Sequence, residues 1–217
     1  MLRTKKNILI LFLVTIVTFC ACSKESDYLF EIQKQIDSEY YIINYVEGNF
    51  ISKNEKSIIV FLDKKENRNA SPNAEKKLVY RIENNKIKFF TEITQECCYV
   101  DTRFIDLDTS KSILGQVYPF GWVGDFNDNG ITELMFCQSS RTEEGATIEF
   151  VEFQDGRFKT ILPAQNDICR IKNIYKESHS MELRRSKYSS EIDDYIVKKS
   201  KIVWNAKTEM YDEIPLD

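Results

Sequence analysis

The chain has 217 residues, 42% apolar and 29% charged, with 14 Phe and 11 Tyr but 7 Gly and 4 Pro. That composition excludes a disordered or collagen-like chain, and the length suits one good-sized hydrophobic core. The net charge of −4 becomes −7 once the first 21 residues are removed, because they hold Arg3, Lys5 and Lys6 and no acid. A mature chain of that sign has no general attraction for phosphate backbones, so nucleic acid is not an expected partner.

Residues 1–22 read MLRTKKNILILFLVTIVTFCAC. Three cations precede an apolar run from Ile8 to Phe19, interrupted by Thr15 and Thr18, and small residues follow, which is the tripartite pattern of a secretory signal peptide. The run is about twelve residues, short of the roughly 20 that a helix needs to cross the hydrocarbon core. Its end, Phe19-Cys20-Ala21-Cys22, resembles the lipobox of bacterial lipoproteins, with Ala21 as the small residue before cleavage and Cys22 as the lipid acceptor. Cys20 fits less well, since Phe19 would stand where the pattern wants a small side chain. Phe19 also departs from the usual Leu three residues before the acceptor. The resemblance implies removal of residues 1–21 and a diacylglycerol thioether plus an amide-linked acyl chain such as palmitate on Cys22. Residues 22–27 would then be a polar tether to a membrane of the bacterial cell envelope, on the periplasmic face or at the cell surface. Two or more acyl chains make such an anchor stable where one is marginal. The alternative is plain secretion after cleavage nearby.

Export leaves Cys97, Cys98, Cys137 and Cys169 in a disulfide-permissive compartment, where four cysteines allow three pairings. A bond between the adjacent Cys97 and Cys98 needs a strained ring, so pairs that join them to Cys137 and Cys169 are favoured if any form. Alternatively Cys137, in an apolar strand pattern, is a buried free thiol. Zinc is not expected, because there is no CxxC and His179 is the only histidine.

Residues 28–38 show helical spacing at Leu29, Ile32, Gln33 and Ile36, which predicts a short N-terminal helix. Strands follow at YYIINYVEGNF and KSIIVFLDKK, then a polar loop around Pro72. KLVYRIENNKIKFFTEI turns at Asn84-Asn85, and CYVDTRFIDLDT gives a further strand. Beyond residue 120 come ELMFCQSS, TIEFVEFQDGRFKTIL with an Asp155-Gly156 turn, DICRIKNIYK, SMELRRSKY and a hairpin in DYIVKKSKIVWNAKTEMYDEI. The pattern predicts a single mainly-β domain over 28–217, either a propeller-like blade fragment or a compact antiparallel β-sandwich. Gly48-Asn49-Phe50 can be laid on Gly124-Asp125-Phe126 at an offset of 76, with Ile58-Ile59-Val60 on Leu134-Met135-Phe136. That suggests two degenerate units, about 46–90 and 120–162, followed by the C-terminal hairpin.

In GDFNDNGITEL, Gly124–Leu134, oxygen-bearing side chains alternate at Asp125, Asn127 and Asn129, Gly130 takes a sharp turn, and Glu133 closes the set. Hard cations such as Ca²⁺ want six to eight oxygens, and this loop offers five or six with water. The stretch, with YPFGWV before it, resembles the FG-GAP or VCBS repeat of integrin-like β-propellers. The resemblance implies a calcium loop with ligands at Asp125, Asn127, Asn129, the Ile131 carbonyl and Glu133. Asn129 and Glu133 stand where the family prefers Asp, so a weak site is expected, in the range of extracellular modules. The alternative is a metal-free turn held by Asx hydrogen bonds. The first copy has Asn49, Ile51, Lys53 and Ser57 at the equivalent places and cannot bind a cation; Lys53 is a candidate to stand in for one.

There is no glycine-rich phosphate loop, GxSxG or HExxH. Trp122 and Trp204 read as core rather than as a sugar platform. The expectation is a non-catalytic, lipid-anchored envelope protein whose β domain binds a protein or glycan. The rivals are a hydrolase or carbohydrate-active enzyme built on scattered carboxylates, and a purely structural envelope component.

Overall fold

The computed structural model describes residues 27–67, 74–95, 115–118, 121–141, 145–162, 168–175 and 180–216. The strand expected at 98–109, Cys22, Cys97, Cys98 and His179 lie outside these residues.

A helix, α1, covers 27–35. It ends earlier than the helical spacing suggests because Asp37 turns the chain. Its carboxylate accepts the Glu39 N–H at 3.3 Å and its carbonyl accepts the Tyr40 N–H at 3.0 Å, which leads straight into the first strand.

The strands group into three antiparallel meanders of four. β1 (Tyr40–Ser52), β2 (Glu55–Lys64), β3 (Lys76–Glu83) and β4 (Lys86–Glu92) pair in chain order. β5 (Gly115–Tyr118) adds to the edge of a second meander made of β6 (Gly121–Gly124), β7 (Glu133–Arg141), β8 (Gly145–Gln154) and β9 (Arg157–Leu162). β10 (Ile168–Tyr175), β11 (Ser180–Ser189), β12 (Asp194–Asn205) and β13 (Met210–Pro215) form the third. Cys169 of β10 pairs with Ala146 of β8, so the second and third meanders are one nine-stranded sheet. Each meander has the form of a propeller blade, but the whole is layered like a sandwich.

Side-chain alternation explains the layering. In the second meander Trp122, Met135 and Phe150 face the third meander, where they meet Met181, Leu183, Ile202 and Tyr211. Their neighbours Val123, Leu134, Phe136 and Val151 face the first meander and meet Phe50, Ile59, Phe61 and Val79. The middle layer is thus buried on both faces, which is why β7 holds the unbroken apolar run Leu134–Cys137 and β8 sets apolar side chains on both of its faces. β2 is also two-sided: Ile58, Val60 and Leu62 turn outward beneath α1 and pack with Ile32. The order of layers is therefore α1, first meander, second meander, third meander.

The hairpin turns follow their residue chemistry. Asn84 and Asn85 have φ of 51° and 60°, and Asp155 and Gly156 have 49° and 81°. Two consecutive left-handed residues make the type I′ turn that matches strand twist, and Asn, Asp and Gly tolerate it best.

Candidate functional site at the Asp125–Glu133 loop

The loop joins β6 to β7 and is built on Asx turns. Asp125 Oδ1 accepts the Asn129 N–H at 3.1 Å and its Oδ2 accepts the Gly130 N–H at 2.8 Å. Asn127 Oδ1 also accepts the Asn129 N–H at 3.0 Å, and Asn129 Oδ1 accepts the Ile131 N–H at 2.7 Å. Gly130 is required twice over. Its φ is +84°, and a Cβ there would fall 3.0 Å from Cγ of Lys53. Asp128, which alternation turns away from the other oxygens, is exposed and has φ 57°.

The interior of the loop faces a carboxylate. Nδ2 of Asn127 and Nδ2 of Asn129 both donate to Glu152 Oε2, at 2.9 and 2.8 Å, and Gln154 Nε2 donates to Glu152 Oε1 at 2.9 Å. Glu152 is 1% exposed and Glu133 is 0% exposed. Glu133 Oε2 accepts the Phe126 N–H at 3.0 Å, and Glu133 Oε1 accepts the Tyr211 hydroxyl at 2.5 Å. Burial pushes the Glu133 carboxyl well above the usual carboxylate range. The Tyr211 bond opposes this rise, the Glu152 charge adds to it, the Phe126 N–H opposes it, and Asp125 adds to it. Burial and the nearby Glu133 charge likewise raise the Tyr211 phenol.

The loop also touches the end of β1 and the turn that follows it. The Asn49 N–H donates to Thr132 Oγ1 at 2.9 Å, and the Thr132 N–H donates to the Asn49 carbonyl at 3.0 Å. Gly48 lets them approach, since a Cβ there would lie 2.9 Å from Thr132 Oγ1. The Lys53 stem covers Gly130. At the same offset of 76, the Phe50 N–H donates to Ser57 Oγ at 3.0 Å, as the Phe126 N–H does to Glu133.

Of the expected ligands, the side chains of Asp125, Asn127 and Asn129 converge on one loop. Glu133 is turned inward to Tyr211 instead of outward to the loop mouth. Ile131 is half-buried and its N–H is held by Asn129. The donor chemistry suits a hard cation, and each side-chain oxygen that accepts one N–H keeps a further lone pair. The orientation suits it less, because both asparagine amides present N–H groups to Glu152. Among the described residues no group of three His, Cys, Asp or Glu side chains is placed to hold a metal ion.

Sequence reasoning missed Glu152 and Tyr211. Glu152 had a signal: two residues after Phe150 in β8 it shares that residue's face, so an acid stood on an apolar face. Tyr211 is 78 residues from its partner and had none. Trp122 is buried in the core against Phe126 and Phe150, and the half-buried Trp204 packs on Tyr211 at its edge. Cys137 stands opposite Ile148 in β7, and Cys169 stands opposite Arg185 in β10.

Fold and loop together define a layered β domain whose buried loop acids, Glu133 and Glu152, are hydrogen-bonded within the protein, and no described helix is long and apolar enough to cross a membrane. The model of a family described as Treponema clustered lipoprotein matches residues 27–211, and the chain belongs to that family. It is a lipid-anchored protein of the bacterial envelope. No curated protein and no solved structure matches the chain.

Proposed function

We propose that this lipoprotein is a non-catalytic display domain, acylated on Cys22, whose β layers present a surface for a protein or glycan. The observation that carries this is the burial of the acids gathered at the loop. Glu133 and Glu152 are satisfied by Tyr211, Phe126, Asn127 and Asn129 and are not offered to a substrate. A hydrolase needs its carboxylate pair open to a cleft. Glycosidase or peptidase turnover that disappears in a folded Glu133→Gln variant would refute the reading.

The loop's resemblance to FG-GAP and VCBS calcium loops supports a weak Ca²⁺ site on the free lone pairs of Asp125, Asn127 and Asn129 and the Ile131 carbonyl. Binding there would keep the Asx turns and stiffen the loop without supplying chemistry. Millimolar calcium should then raise the melting temperature of the mature chain, and Asp125→Ala should abolish the rise. An unmoved melting curve leaves the loop a turn alone. Mass spectrometry of the mature N-terminus tests acylation, and an unmodified Cys22 rejects it.

A further inference from the structure

Two surfaces of the stack compete to face lipid, and charge and reach choose differently. The outer face of β11–β13 is the choice by charge. Arg184 stands directly opposite Lys199, and Lys201 stands between Ile214 and Glu182, with Asp212 the other acid on this face. Val197, Ile214 and Leu216 on this face are 39%, 48% and 48% exposed. Like charges in direct register repel, and among the described residues neither Arg184 nor Lys199 forms an ion pair. Cations interspersed with aliphatic groups are what an anionic bilayer surface attracts.

Reach excludes that face for the anchoring membrane. The described chain starts at Asp27, five residues after Cys22, and five fully extended residues span at most about 18 Å. α1, which begins there, packs on the outside of the first meander through Ile32. The outer face of β11–β13 lies beyond the second meander. One helix layer and two sheet contacts at ~10 Å each put it roughly 30 Å away.

We propose that the domain stands on its bilayer by the helical end, with Phe30 at the lipid–water interface and the β11–β13 face turned away from that membrane. Phe30 is 63% exposed in the first turn of α1, and the Lys34 ammonium, paired with Glu31 at 2.7 Å, lies 4.1 Å above its ring. An aromatic ring beside a long cationic stem can bury the ring and keep the charge at headgroup level. Beside Phe30, Leu29, Ile42, Ile43 and Tyr45 line an open groove of about 490 Å³, together with Gln33 and Asn44. The contact need not be strong, because a short tether supplies a high effective concentration. The inference rests on acylation at Cys22 and is independent of calcium.

The test uses the full acylated lipoprotein in phosphatidylcholine vesicles with and without brominated acyl chains, after mass spectrometry has located the acyl groups. The tryptophan added by Phe30→Trp should lose its emission severalfold in brominated vesicles. The one added by Ile214→Trp should keep it. In a chain carrying Cys22→Ser, the quenching at position 30 should disappear. Quenching at 214 but not 30, quenching at neither, or an anchor on a residue other than Cys22 each overturns the proposal.

Discussion

Replacing Tyr211 with Phe removes one oxygen from the centre of the molecule and little else. The ring packs against Phe126, Phe150 and Trp204 with centroids 5.4, 5.5 and 4.9 Å away, and phenylalanine keeps those contacts. What is lost is the hydroxyl that donates to Glu133 Oε1 at 2.5 Å. A hydrogen bond to a charged group contributes about 1.5–3 kcal/mol, and one between neutral groups about 1 kcal/mol. Glu133 has its pKa raised by burial, so its charge state in the folded protein depends on pH. The cost of Tyr211→Phe should therefore be near 1 kcal/mol where Glu133 holds its proton. It should approach 2–3 kcal/mol once Glu133 ionises, because the buried carboxylate then keeps only the Phe126 N–H. Urea unfolding of wild type and variant from about pH 4 to about pH 9 measures this difference directly. A cost below about 0.5 kcal/mol at every pH would refute the buried Tyr211–Glu133 bond.

Glu133→Gln follows from the same shift. A carboxyl whose folded pKa lies above its ordinary 4.5 stabilises the fold fully below that value and loses its contribution as pH rises through the folded pKa. The glutamine variant should lack that decline and gain on wild type at high pH, and parallel stability–pH curves would contradict it. Gly130→Ala should cost about 1–3 kcal/mol in the same unfolding assay, from left-handed strain and the clash with Lys53, and a neutral result rejects both. Lys199→Glu turns a repulsive pair with Arg184 into an attractive one and should stabilise by about 0.2–1 kcal/mol; a loss of stability would show that the register is wrong.

What the sequence made legible was local. Asn84-Asn85 and Asp155-Gly156 fix their turns because left-handed backbone needs residues of that type, and those residues are adjacent in the chain. The apolar runs in β2 and β7 pointed to strands, and the period-2 pattern placed most elements. The stacking order was not legible. It depends on which face of Ile58-Ile59 meets α1 and which meets Phe136, and alternation alone cannot assign the partner. The candidate site divides in the same way. The Asx turns of Asp125, Asn127 and Asn129 span two to five residues and can be read from spacing. The inward turn of Glu133 depends on a tyrosine in a different layer.

That division bears on why a loop with calcium-like spacing would persist where its asparagines donate to a carboxylate. The loop touches all three sheet layers of the stack. Thr132 and Gly130 meet Asn49 and Lys53 of the first meander, Asn127 and Asn129 hold Glu152 of the second, and Glu133 reaches Tyr211 of the third. Ser57, 76 residues earlier, accepts the Phe50 N–H as Glu133 accepts that of Phe126, with an uncharged hydroxyl. The turn itself therefore does not require an acid. Glu133 carries a desolvation cost that Ser57 avoids, and what it gains is length enough to reach a residue 78 positions away. The charged side chain at this place is thus accounted for by the joining of layers. A cation, if bound, would add to a junction that already holds.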